Sequence, residues 1–209
     1  MSKIEEKQNP QIYLITPSAF DLATFSTQLS SILDAHDIAC VRMSLASTDE
    51  CDIAQAADRL REICHARDVA IIIGSHFRLV ETHGLDGVHL PDSSRQVRDV
   101  RKLLGPDAVI GTFCGASRHA GMTAGEIGAD YISFGPVVET ALGSGKVAPF
   151  DLFEWWSETV EVPVVAEGNV TLEAATKLAP VVDFFGLGDE IWGTDNPSAA
   201  LGEYIKRIS

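Results

Sequence analysis

Three kinds of residue stand where short apolar runs of this sequence end, and each suits a different chemistry. Glu139 and Glu167 follow such runs; a carboxylate there serves either as a base or as the ion-pair partner of Arg42 or Lys146. His119, in GTFCGASRHAG, is of a residue type that serves in proton transfer, and its plain alternative is a cap or surface residue at the start of a helix. Gly168-Asn169 and Gly186-Leu187-Gly188 follow the last two apolar runs. Glycine lacks a Cβ, so the backbone can approach a ligand closely there. In VPVVAEGNVTLEAATKL a β-branched stretch passes through such a turn into a helical pattern, so N–H groups stand ready for an anion, unless the glycines only shape tight turns.

The elements that must position these residues are short and regular. Apolar runs predict strands at 12–16, 38–43, 69–74, 87–90, 108–112, 131–134, 162–166 and 183–187. Helical patterns fill the gaps at 21–35, 50–66, 77–83, 95–104, 118–127, 149–159, 172–178 and 197–208, with Ser47-Thr48 and Thr171 placed to cap their starts. Strands that are apolar on both faces and alternate with helices indicate a parallel sheet. Eight such units in one domain spanning 1–209 predict a closed (β/α)8 TIM barrel. An open doubly wound sheet is the alternative, but it would carry a glycine fingerprint after its first strand, where this chain reads TPSAF. In a barrel, sites gather at the C-terminal strand ends, and the loops after the seventh and eighth strands often hold phosphate; this assigns Gly168, Asn169 and Gly188 to a phosphate. Residues 139–149 form the longest predicted loop, a candidate lid. His89 reads as packed at the barrel rim, and Trp155 and Trp156 as packing the sixth helix against the wall or a partner subunit.

Composition narrows the partners. The 209 residues carry a formal net charge of -14, which disfavours an extended nucleic-acid or anionic-membrane surface and leaves a small phosphate ligand as the expected partner. Cys40, Cys51, Cys64 and Cys114 show no CxxC spacing, and MSKIEEKQNP has no apolar leader, so a cytoplasmic protein with reduced thiols is expected. No apolar run approaches the roughly 20 residues a membrane span needs. A homo-oligomer remains open.

With the barrel in place, GADYISFGPVVET at 128–140, LDGVHLPDSS at 85–94, VRMS at 41–44 and PVVAEGNV at 163–170 together resemble the thiamine phosphate synthase and thiazole tautomerase family, in the right order over nearly the whole chain. The synthase branch implies coupling of a pyrimidine diphosphate to a thiazole phosphate with loss of pyrophosphate, assisted by a divalent cation and basic side chains. On that resemblance Arg42 faces the diphosphate, while Ser44 stands where a Lys is usual. Gly74-Ser75 replaces an Asn-Asp pair whose Asp binds Mg²⁺. Asp92 substitutes for a second ligand only if its loop shifts; Mg²⁺ is therefore possible with degraded ligands, and no metal residue is assigned. Thr140 survives from a Pro-Thr-x-Thr-Lys loop whose Lys is absent unless Lys146 reaches back.

The tautomerase branch resembles other loops: Gly74-Ser75, Leu90-Pro91-Asp92 and 134–140. It implies a metal-free proton transfer by a His after the fifth strand, for which His119 is the nearest candidate. The expected site is thus Arg42, His119 and Glu139 for catalysis and Ser75, Asp92, Thr140 and Lys146 for substrate, with Asp189 turned away from the phosphate, either paired with a cation or capping the short helix before Pro197. The leading expectation is a divergent member of the family that binds a thiazole phosphate or thiamine phosphate, with coupling weakened or replaced by tautomerisation. A non-catalytic relative that keeps the phosphate ligand is the alternative. An unrelated barrel isomerase or aldolase would need a strand-end Lys or paired carboxylates, and no predicted strand ends in Lys.

Overall fold

All eight apolar segments become strands of one closed parallel barrel in the computed structural model, which describes residues 9–140 and 142–209. The strands are β1 Gln11–Ile15, β2 Cys40–Met43, β3 Ala70–Gly74, β4 Gly87–Leu90, β5 Val109–Phe113, β6 Tyr131–Phe134, β7 Val164–Glu167 and β8 Phe184–Leu187. They pair in chain order, and β8 closes on β1 with Ile12 beside Phe185. The helices are α1 Leu22–Ala35, α2 Glu50–His65, α3 Leu79–His83, α4 Val97–Leu104, α5 Arg118–Glu126, α6 Phe150–Thr159, α7 Leu172–Leu178, α8 Asp189–Trp192 and α9 Pro197–Ile208. The expected (β/α)8 TIM barrel is the fold. The N-terminal segment 1–8, read above as lacking a leader, and Ala141 of the candidate lid lie outside the described residues. Among the described residues no helix is long and apolar enough to cross a membrane.

The pleat divides each strand between two cores, because successive side chains point to opposite faces. Tyr13, Ile72, Tyr131 and Val165, with Ile15, Cys40, Val109 and Phe184 beside them, form the barrel interior. Their neighbours Ile12, Leu14, Val41, Ile71, Ile73, Val88, Ile110, Ile132 and Phe185 face outward and pack under the helices. The interior is crowded enough that a side chain at Gly111 would sit in the Tyr131 ring, 1.8 Å from Cζ. Trp156 is buried from α6, edge-on to Phe134, with its indole N–H on Val162 O at 2.7 Å. Trp155 is half-buried with the Arg118 guanidinium 4.6 Å above its ring.

Several boundaries differ from the sequence reading. Asp49, not Ser47 or Thr48, caps α2, accepting from Cys51 N at 2.8 Å; Thr171 does cap α7, accepting from Ala174 N at 3.1 Å. The seventh strand runs to Glu167 rather than stopping at Ala166, which turns Glu167 from a loop residue into an interior one. The short helix expected before Pro197 is α8, whose bounds were not readable because four residues carry no periodicity.

The N-terminal end of the barrel is pinned by one device used three times. Asp86, Asp130 and Asp183 each precede an even-numbered strand, and each carboxylate accepts from the backbone of the strand before it: Ile71 N at 2.7 Å, Ile110 N at 2.7 Å and Val164 N at 2.8 Å. These charge-assisted bonds fix register at the face remote from the loops. Asp183→Ala strands the Val164 N–H, so urea unfolding is expected to show a loss of about 1–3 kcal/mol with an unchanged m-value. Unaltered stability in that titration rules out the pinning role.

Candidate functional site

Arg42, on β2, extends across the barrel to Glu167 at the end of β7. Nη2 lies 2.6 Å from Oε2 and Nη1 3.4 Å from Oε1, a two-pronged contact between side chains only 8% and 2% exposed. Ser133 Oγ, from β6, donates to Glu167 Oε1 as well. His89 Nε2 stands 3.6 Å from that oxygen, while its Nδ1 is hydrogen-bonded to Tyr131 OH at 2.9 Å, which in turn meets Tyr13 OH at 2.7 Å. The Arg42 guanidinium also sits 5.5 Å from the centre of the Tyr13 ring. Five strands thus contribute one connected polar core to the upper half of the barrel.

The electrostatics follow from burial and pairing. Burial alone would push Glu167 upward, but the Arg42 guanidinium, together with His89 and the Ser133 hydroxyl, brings it down to about 2. Burial opposes the charge on Arg42, and Glu167 outweighs that, so the guanidinium holds its proton more tightly than usual. His89 is pushed down to about 3, first by burial and then by Arg42, so it is neutral at pH 7. Burial raises both Tyr13 and Tyr131 well above the ordinary tyrosine range. At neutral pH the core therefore holds one fixed ion pair among neutral hydrogen-bonding groups.

Above this core opens a cavity of about 590 Å³, lined among others by Arg42, Ser44, Thr140, Gly168, Gly188 and Glu190. Its walls are stitched together by backbone bonds: Val137 N donates to Glu167 O and Gly168 O, and Asn169 Nδ2 reaches Glu139 O at 3.5 Å. Gly168 has φ +87, and a Cβ there would come 2.7 Å from Leu142 Cδ2, so the turn needs glycine twice over. Tyr204 OH, from α9, holds Val170 O at 2.6 Å behind it. Arg42 retains one free polar atom, since its buried Nε has no partner.

The cavity gathers some of the sequence-assigned residues and not others. Arg42, Thr140, Gly168, Asn169 and Gly188 line it. Ser75, at the end of β3, is exposed and outside the lining, as are Glu139 and Lys146. His119 is exposed in the first turn of α5, whose cap is Ser117, and also lies outside. Asp92 is half-buried with Oδ2 accepting from Gln96 Nε2 at 2.9 Å. Asp189 is the first residue of α8, exposed at the cavity wall; the N-cap of that short helix is Gly188, with no side-chain cap bond, and among the described residues Asp189 has no cation partner. The carboxylate that matters is its neighbour. Glu190 Oε1 accepts from Val170 N and Oε2 from Gly188 N, both at 2.8 Å, and so bridges the loops after β7 and β8.

The magnesium site that the resemblance implies keeps only one of its two carboxylates. Gly74-Ser75 offers none after β3, and Asp92 has Oδ2 on Gln96 Nε2 while its buried Oδ1 has no partner.

Comparison with known proteins agrees with this architecture. A family model described as thiamine monophosphate synthase matches residues 12–183. The thiamine-phosphate synthase of Rhodospirillum centenum is 39% identical over 197 residues, covering 93% of this chain and 95% of its own length. That of Erythrobacter litoralis is 34% identical over 206 residues, covering 95% of each. Among solved structures, thiamine phosphate pyrophosphorylase from Pyrococcus furiosus superposes with a TM-score of 0.83 over 95% of both chains at 19% identity, a likeness of fold.

The polar core makes stability pH-dependent in a definite direction. Between its ordinary 6.5 and about 3, His89 takes up a proton in the unfolded chain but not in the folded one, so folding stability falls as pH falls through that window. Glu167, shifted from 4.5 to about 2, adds a loss of the same sign below pH 4.5. Urea unfolding between pH 7 and 5 is expected to show the native protein losing up to about 1.4 kcal/mol per pH unit below the histidine range, and His89→Asn losing measurably less. Equal slopes for the two proteins contradict the buried neutral histidine.

Proposed function

The chain belongs to the thiamine monophosphate synthase family of thiamine biosynthesis, and we propose that it binds a thiazole phosphate or thiamine phosphate at the C-terminal barrel mouth, with coupling chemistry weakened or altered from that of a synthase. The observation that carries this reading is the charge of the mouth. Among the described residues Arg42 is the only Lys or Arg in the cavity lining, and it is paired with Glu167, while Asp189 and Glu190 line the same space. A leaving diphosphate carries roughly three negative charges near neutral pH. Net negative walls, with Ser44 in place of a cation, supply little to offset them. A monophosphate asks less, and one cavity lining holds the turns at Gly168 and Gly188 together with the Arg42 guanidinium.

In this reading Arg42 orients the ring end of the ligand and meets charge that develops on it, Glu167 holds Arg42 in place, and Thr140 and Leu142 cover the ligand from the loop after β6. Ring tautomerisation fits such a site better than coupling, because it moves a proton without expelling an anion. The fixed charge of Glu167 also supports the non-catalytic alternative, since a carboxylate held near 2 is a weak base.

A pyrophosphate-release assay with pyrimidine diphosphate, thiazole phosphate and Mg²⁺ tests the reading beside the Rhodospirillum centenum relative. The expected rate is lower by about a hundredfold or more, and the double variant Ser44→Lys/Ser75→Asp is expected to raise it. Rapid magnesium-dependent release by the unaltered protein refutes weakened coupling; calorimetric titration with thiazole phosphate alone reports whether the ligand binds.

A further inference from the structure

The side chain that decides how the mouth treats a phosphate comes from α8. Val170 N and Gly188 N face each other across the loops after β7 and β8, and both already hold an anion, the carboxylate of Glu190, at 2.8 Å each. Glu190 is half-buried and lines the cavity with Gly168 and Gly188, while Val170 is fully buried behind it, so a phosphate group seated on these loops takes both donors only once the carboxylate has left them. Carboxylate and phosphate cannot share them: both are acceptors, and both are negatively charged. Arg42, in the same lining, keeps a buried Nε without a partner.

We propose that Glu190 is a specificity-determining residue: an internal carboxylate that occupies the phosphate donors of the empty site, must be displaced when a phosphate-bearing ligand enters, and thereby narrows the preference for the phosphorylated over the phosphate-free form of the same ring. This rests on the proposed binding of a thiazole at the mouth. Two charge-assisted backbone bonds are exchanged for two of the same kind, so the phosphate gains little from them, and the displaced carboxylate remains nearby as a like charge. The phosphate-free alcohol leaves Glu190 where it is and incurs neither cost.

Calorimetric titration of the native protein, Glu190→Gln and Glu190→Ala with thiazole phosphate and with the corresponding phosphate-free thiazole alcohol tests this. The glutamine variant keeps an acceptor for one N–H without the charge, and thermal unfolding reports whether either variant is folded. Both variants are expected to bind thiazole phosphate about tenfold tighter than the native protein, with the alcohol unchanged. In the native protein, saturating thiazole phosphate is also expected to shift the backbone amide resonances of Val170 and Gly188, and the alcohol to leave them in place. Equal phosphate affinity in all three proteins, equal tightening for both ligands, or unmoved Val170 and Gly188 amides overturns the assignment while leaving the function standing. Failure of both ligands to bind any of the proteins overturns the reading of the mouth itself.

Discussion

Arg42 is a full positive charge held 8% exposed inside a barrel, and the chain can keep it there only because Glu167 stands opposite with Nη2 and Oε2 2.6 Å apart. Removing two ions from water is costly, and their mutual attraction offsets this only when the remaining lone pairs and protons are also satisfied. The Ser133 hydroxyl does that for Glu167, with His89 Nε2 3.6 Å away, and the His89–Tyr131–Tyr13 chain carries the polar network across to β1. The middle of the barrel can then close around this network with Ile72 and Val165. Loss of one partner alone would leave a buried uncompensated charge, at a cost of about 3–5 kcal/mol.

That arrangement decides what the mouth has left to offer. The guanidinium is largely committed to the interior, leaving its Nε as the free cationic donor. The loops after β7 and β8 offer backbone N–H groups, but Glu190 sits on two of them. The cavity is therefore less an anion trap than its glycine turns suggest, and a ligand of low charge suits it better than a diphosphate. The same carboxylate links the loops after two neighbouring strands, so it gives the empty site structure as well as charge.

The barrel was legible because its signals are local and repeated. Apolar runs recur eight times with helical patterns between them, and each run sits within a few residues of an observed strand. Thr140 and the Gly168 turn were legible as mouth residues because they follow strand ends, and Arg42 because it lies near the end of β2. The polar core was legible only in part: pairing with Arg42 was one of the alternatives read for Glu167. His89 read as a rim residue and Glu167 as a loop residue, since the seventh strand was ended one residue early; with period-two alternation carried one position further, Arg42, His89, Ser133 and Glu167 all fall on inward positions near the tops of their strands. Glu190 was hidden for a different reason. Its role depends on two backbone donors, one of them twenty residues away in sequence, and no spacing rule connects them.

A crystal structure of the protein with thiazole phosphate bound tests the central claim most directly. The account predicts the phosphate at hydrogen-bonding distance from Val170 N and Gly188 N, the Glu190 carboxylate turned off both, and Arg42 still paired with Glu167 beneath the ring. A ligand bound away from the loops after β7 and β8, or one seated there with the Arg42–Glu167 pair broken, contradicts it.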